Sequence, residues 1–195
     1  MVTPTVRTTT ITAEEVPVID TIVLAFATDP VARWVWPNTR QYLTSMPTFT
    51  RAFGGGAFLH KSAHCSDDYA GAALWLPPNV HSDEKALGEV LQRTVAASTR
   101  DDLFAVLEQM ASYHPSEPHW YLPLIGVDPA YQGKGYGTAL LAYALQTCDR
   151  DHSPAYLEST NPRNIPLYQR HGFEVLGTIQ AGGSPPLVPM LRRSR

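Results

Sequence analysis

The apolar positions of the chain change period several times, and each change marks an element. Residues 5–11 are rich in Thr, Val and Ile and predict a first strand. Thr12 followed by Glu15 has capping-box spacing, and Val16, Ile19, Ile22, Val23 and Phe26 then supply one apolar helical face. Asp29-Pro30 stops that helix. Trp34 and Trp36 follow in a short Pro-bounded segment, as core residues or as the lining of a pocket. Asn38 or Thr39 caps a helix reaching about Phe53, and Gly54-Gly55-Gly56 is a loop. Residues 57–61 and 69–76 read as two strands of a hairpin turning at Ser66-Asp67-Asp68. Two helical stretches come next. The first, about 83–97, carries Leu87, Val90, Leu91 and Thr94 on one face; the second, about 100–114, carries Leu103, Phe104, Leu107, Met110 and Ala111. They form an insertion, residues 82–114, beside the core sheet.

The most informative stretch runs from Trp120 to Leu141. An apolar and aromatic strand, Trp120 to Val127, meets a turn at Asp128-Pro129. Glycines alternate at 133, 135 and 137, and Leu140, Leu141, Ala144, Leu145 and Cys148 then repeat with helical spacing. Strand, glycine loop and helix start make an anion site from backbone alone, because the first helical N–H groups lack partners and the helix dipole favours negative charge there. The plain alternative is a tight turn without a ligand. The P-loop spacing fails, since Gly135 follows Lys134, and the Rossmann fingerprint fails at Thr138. Pro123 within the strand marks an edge or a bulge, because proline cannot donate to a ladder.

A parallel strand follows over 154–158, with Tyr156 and Glu158 on one face and Leu157 on the other. After a polar break at 159–164, a short helix ends at Gly172 and a strand runs over 173–179. Residues 187–191 close the sheet against it, and Arg192-Arg193-Ser194-Arg195 form a solvated tail.

Composition narrows the class. A chain of 195 residues with 44% hydrophobic content suits a single domain, 1–195, with a full core. A net charge of −3 argues against nucleic acid as a partner. Cys65 and Cys148 are too few for a disulfide framework. Met1-Val2-Thr3-Pro4 opens no signal peptide and no apolar run is long enough for a membrane, so the expectation is a cytoplasmic protein with reduced thiols. His60, His64 and Cys65 lack a second pair at zinc spacing, and no metal is expected.

Two linked stretches resemble the signatures of the GNAT N-acetyltransferases. Gln132, Gly135 and Gly137, after a strand ending Val127-Asp128-Pro129, match the motif that grips the pyrophosphate of coenzyme A in that family. Asn161 or Asn164, with Tyr168, Gly172 and Phe173, match the second. Within the family the chain looks closest to the puromycin N-acetyltransferase-like group, through Glu117-Pro118-His119-Trp120-Tyr121-Leu122, Leu157-Glu158-Ser159 and 162–168.

The resemblance implies an α/β fold: a mixed, mostly antiparallel central sheet with a splayed parallel pair, flanked by helices, its coenzyme A-binding core at about 119–175. It implies acetyl-CoA as co-substrate, contacted by Ile125, Gly126, Val127, Gln132, Gly133, Lys134, Gly135, Tyr136, Gly137, Thr138, Asn164 and Tyr168. The pantetheine arm would pair with residues 125–127 as an added strand, a free N–H there polarising the thioester. The acceptor would be an amine of a small molecule, antibiotic-like amines included, and the protein a monomer or homodimer.

Tyr168 is the family's general acid, protonated at neutral pH and suited to the departing thiolate. Glu158 is the candidate base, provided burial raises its pKa, and His119 is its rival. Two other classes remain: a non-catalytic acyl-CoA sensor or interaction module and, more distantly, a NAD-binding oxidoreductase.

Overall fold

Residues 4–9, 12–66 and 68–194 are described by the structure, a computed structural model. The chain opens with β1 (Val6–Thr8), and a 3-10 turn (Thr12–Glu14) leads into α1 (Glu15–Ala25). Thr10, Ile11 and the Thr12 side chain, on which the predicted strand end and capping box fall, lie outside the described residues. The helix follows Glu14 without a side-chain cap, because the 3-10 turn already feeds it. Asp29-Pro30 does more than stop α1. The Asp29 carboxylate accepts from Val31 N and Ala32 N at 3.0 Å each and starts α2 (Pro30–Val35). Asn38 caps α3 (Thr39–Gly54) through Gln41 N at 3.0 Å.

The predicted strand over 57–61 is instead a helical turn, α4 (Gly56–Leu59), continuing the course of α3. The hairpin is made by β2 (Ala63–Ser66) and β3 (Gly71–Leu76). Asp83 caps α5 (Glu84–Thr94), and α6 (Ala97–Tyr113) completes the helical pair. Then come β4 (Trp120–Val127), α7 (Tyr136–Arg150), β5 (Ala155–Ser159), α8 (Ile165–Arg170), β6 (Glu174–Val175) and β7 (Val188–Arg192).

The strands form a seven-stranded sheet in the order β1-β2-β3-β4-β5-β7-β6. Each neighbouring pair is antiparallel except β4 and β5. Between β3 and β4 the register passes from Leu74↔Leu124 to Leu76↔Tyr121, so three steps along β4 match two along β3. That is the bulge expected at Pro123. Beyond it β4 leaves β5: their pairing is confined to Trp120↔Ala155 and Tyr121↔Tyr156. The remaining six residues of β4 turn an unpaired edge towards a gap.

Apolar layers cover both faces of the sheet. Ala72 and Leu74 of β3 pack with Ile19 and Ile22 of α1 and Tyr42 and Met46 of α3. Ala73 and Trp75, pointing the other way, pack with Leu140, Leu141 and Ala144 of α7. Val90 and Leu91 of α5 and Leu103 of α6 extend the first layer, and Trp36 is buried in it with Nε1 donating to Thr94 Oγ1 at 3.0 Å. Arg192, expected in a solvated tail, is 2% exposed at the end of β7. Its Nη2 meets Asp149 Oδ1 at 2.6 Å and its Nε donates to the His171 carbonyl, so it ties β7 to α7 and to the end of α8.

α1 crosses β4 where the strand has no side chain. A methyl at Gly126 would overlap the Ala25 side chain, with Ile22 in ordinary contact beside it. Gly126→Ala is therefore expected to lower stability by about 1–3 kcal/mol, as overpacking does. Thermal melting of the variant checks this, and an unchanged midpoint would show that α1 moves freely off the strand.

Candidate active site

The gap between β4 and β5 opens into a cleft of about 600 Å³. One wall is the free edge of β4, including Ile125, Gly126 and Val127. Its floor is the turn ahead of α7, where Gly133 (φ 74°) and Gly135 (φ 91°) adopt left-handed backbone. Gly135 is the N-cap of α7 and offers no side-chain cap, so the first N–H groups of this 15-residue helix face the cleft mouth without an intrahelical partner. The opposite wall comes from β5 and α8, with Glu158, Asn164, Leu167 and Tyr168. A dipole-bearing helix start, an open strand edge and an apolar wall suit an elongated ligand with an anionic end and a peptide-like arm.

Of the residues singled out from the sequence, Ile125, Gly126, Val127, Gln132, Gly133, Gly135, Tyr136, Gly137, Thr138, Glu158, Asn164 and Tyr168 all line this cleft. Gln132 braces the turn, its Nε2 donating to the Val127 carbonyl at 3.2 Å. The structure does not bring Lys134 into the cleft. Its ammonium donates to the Ala130 carbonyl at 3.0 Å and lies 4.9 Å from the centre of the Tyr131 ring, folded back along its own loop. Of the two asparagines left open, Asn161 spends its side chain on Arg163 N at 3.1 Å. Asn164 is the N-cap of α8 and makes no capping bond.

Cleft residues that the sequence reading did not single out include Ala25, Thr28, Asp29, Thr160, Arg163 and Arg170. Asp29 is the telling one. Its Oδ2 accepts from Thr160 Oγ1 at 2.6 Å while Oδ1 caps α2, so one buried carboxylate joins the α1–α2 corner to the end of β5. Burial raises its pKa. Its place before Pro30 gave a helix-boundary signal that hid this second role.

Glu158 has a 3% exposed side chain. Tyr121 donates to its Oε2 at 2.9 Å, while Oε1 has no hydrogen-bond partner. The Tyr156 hydroxyl falls short of strict hydrogen-bond geometry but stands close enough to the carboxylate to help hold its charge. Desolvation outweighs these contacts and pushes Glu158 up to about 7. Tyr168, buried against Phe173 and Leu167, has its pKa raised by burial, so its hydroxyl keeps its proton at neutral pH.

His119 does not line the cleft. Its Nδ1 donates to the Glu117 carbonyl at 2.8 Å and its Nε2 lies 3.1 Å from His114 Nδ1. His114 in turn places Nε2 3.5 Å from Glu158 Oε1. Base and rival are thus in series, joined by a histidine that the sequence reading left as the end of a helix.

Among the described residues no group of three or more His, Cys, Asp or Glu is placed to hold a metal ion, and no helix is long and apolar enough to cross a membrane. Cys65 and Cys148 are both buried.

The model of the Acetyltransferase (GNAT) family matches residues 57–173. An uncharacterized N-acetyltransferase of Schizosaccharomyces pombe is 27% identical over 175 residues, which cover 78% of this chain and 68% of that protein. The crystal structure of histone acetyltransferase HPA2 and related acetyltransferase from Corynebacterium glutamicum shares 25% identity and superposes with a TM-score of 0.70, covering 100% of this chain and 98% of the other. The Drosophila melanogaster polyamine N-acetyltransferase, at 14% identity and a TM-score of 0.67 over 97% of this chain and 99% of the other, shares the fold. The chain belongs to the GNAT acetyltransferase family, and its mixed sheet with one parallel pair is the fold of that family. It is an N-acetyltransferase, and acetyl-CoA is the co-substrate that the family implies.

The carboxylate of Glu158 is costly to bury and its neutral form is not. Unfolded, the group titrates at 4.5; folded, at about 7. With the folded value raised, its contribution is fully favourable below pH 4.5, is lost as pH rises to about 7, and stays lost above. Glu158→Gln removes that loss. The variant is expected to match wild type near pH 4 and to exceed it at pH 8 by up to about 3 kcal/mol, one pKa unit being worth about 1.4 kcal/mol. Denaturant melts at the two pH values check it.

Proposed function

We propose that this protein transfers the acetyl group of acetyl-CoA to an amine of a small molecule, by direct attack of the amine on the thioester. The observation that carries the reading is the gap between β4 and β5. It sets an open backbone edge, an uncapped helix start, a buried carboxylate and a buried phenol around one cleft. The reading takes residues 1–195 as one catalytic domain with its coenzyme A-binding part at about 119–175 and a cytoplasmic setting. It also includes membership of the puromycin N-acetyltransferase-like group.

Each residue then has a task. The α7 start and the glycine turn, Gln132 to Thr138, hold the pyrophosphate. Ile125, Gly126 and Val127 align the pantetheine arm as an added strand, and an N–H of that edge polarises the thioester carbonyl. Acetyl-CoA supplies the activated acyl group. Glu158, poised near neutrality, removes the proton from the incoming ammonium so that its nitrogen carries a lone pair. Tyr168, protonated and facing the same cleft, gives a proton to the leaving sulfur. The polyamine and arylalkylamine N-acetyltransferases that share the fold act, by name, on amines, which supports an amine acceptor here.

Thermal melting with acetyl-CoA, coenzyme A or NAD tests the ligand. Acetyl-CoA at about a hundredfold its Kd is expected to stabilise the fold by about 2.7 kcal/mol, raising Tm by roughly 5–10 °C, with no shift from NAD. Free-thiol release against puromycin, spermidine, agmatine and tryptamine then reads turnover. Absence of a shift with either coenzyme A species would overturn the proposal, and a shift without turnover would favour the sensor reading. Tyr168→Phe is expected to lower kcat by about a hundredfold with KM for acetyl-CoA little changed. An unchanged kcat would remove the acid.

A further inference from the structure

The proton that Glu158 takes has to leave a side chain almost closed to water. The only ionisable base beside its unpartnered oxygen, among the described residues, is His114, at the C-terminal end of α6 and outside the lining of the cleft. Hydrogen bonding sets the state of that ring. The Glu117 carbonyl can only accept, so His119 Nδ1 carries a hydrogen and its neutral Nε2 is a bare lone pair. That lone pair faces His114 Nδ1, which therefore carries the hydrogen between the rings. His114 Nε2 is then bare in its turn, and it faces Glu158 Oε1 across 3.5 Å. Two acceptors stand opposite one another with room for one proton between them.

We infer that His114 is the outlet for the proton removed from the substrate amine, and that His119 is the positioning residue that keeps the ring ready to receive it. The inference rests on Glu158 being the base. The balance is simple. The ammonium N–H bond breaks and an O–H bond forms on Glu158. That proton passes to His114 Nε2, restoring the carboxylate and making an imidazolium whose Nδ1–H is held by His119. The imidazolium then gives its Nε2 proton to water, which the 30% exposed His114 side chain can meet, and the ring returns to the Nδ1–H form.

The surroundings favour passage over storage. Tyr121 of β4 and Tyr156 of β5 pack against the His114 ring with centroids 4.6 and 4.5 Å away. Neither hydroxyl competes as a base, because burial raises both. Burial lowers the His114 ring to about 4, and His119 and His81 add to this, while Glu158 stands at about 7, so the imidazolium is a short-lived carrier. A proton arriving there is shed rather than held. Tyr113, the preceding residue, acts on Tyr156.

Long-range ¹⁵N–¹H NMR of the histidine rings tests the starting state without substrate. At pH 8 the Nδ1–H tautomer is expected at both His114 and His119, and an Nε2–H tautomer at His114 would overturn the relay. Kinetics test the passage, with whichever of puromycin, spermidine, agmatine and tryptamine turns over. His114→Phe keeps the aromatic packing, and is expected to lower kcat about tenfold or more with KM for acetyl-CoA unchanged. In His114→Ala, added imidazole is expected to restore kcat in proportion to its unprotonated form, while wild type ignores it. Equal kcat in His114→Phe and wild type, or loss in His114→Ala that imidazole leaves untouched, would overturn the relay. Glu158→Gln separates the two readings. If it remains active, the base assignment falls and takes the relay with it. If it is inactive while both His114 variants match wild type, the base stands and the relay alone falls.

Discussion

A proline in the middle of a sheet forces a choice: the strand that carries it either sits at an edge or breaks its ladder. In this fold β4 is central by order yet behaves as an edge on one side, and the rest of the molecule is arranged around that contradiction. The bulge at Pro123 absorbs one residue against β3 and directs β4 away from β5 after two paired positions. Both strands remain anchored, β4 by its antiparallel register with β3 and β5 by its five-residue register with β7. The opening is therefore a rigid feature between two well-paired half-sheets.

Everything chemical in the cleft follows from which groups that opening leaves unsatisfied. The β4 edge lacks ladder partners, α7 begins on a left-handed glycine with no cap, and Glu158 has one oxygen without a donor. Such groups are expensive to leave buried in a protein that binds nothing. The Asp29 bridge to Thr160 and the contact of Ala25 on Gly126 show how the α1–α2 corner closes the cleft from the second face of the sheet.

Much of this was legible in the chain. The glycine loop between an apolar strand and a helical repeat marked the anion site, and Pro123 marked the bulge, because both signals are local and backbone-based. Gly172, at φ 88°, ended α8 as its position implied. What the chain concealed depended on tertiary placement. The apolar run at 57–61 reads as a strand from composition, but the helix before it carries the backbone on for another turn. Lys134 sits in the middle of a phosphate-like motif and turns back on its own loop. His119 offers itself as a base by residue type and by its place before β4, yet its ring turns to the Glu117 carbonyl and lies outside the cleft. His114 carried no signal at all: it ends an amphipathic helix, and only the parallel placement of β5 beside β4 brings Glu158 to it.

Among the described residues the outer margins of the sheet are short, three residues in β1 and two in β6, while the longest unpaired run of strand lies inside the cleft. Strand edges are what misassembling proteins use to recruit further chains. Here the backbone most able to recruit another strand is recessed between two half-sheets, where a slender arm can enter and a second folded chain cannot. The feature that makes the protein receptive to its ligand also screens it from aggregation, beside outer strands that carry the charges of Arg7 and Glu174.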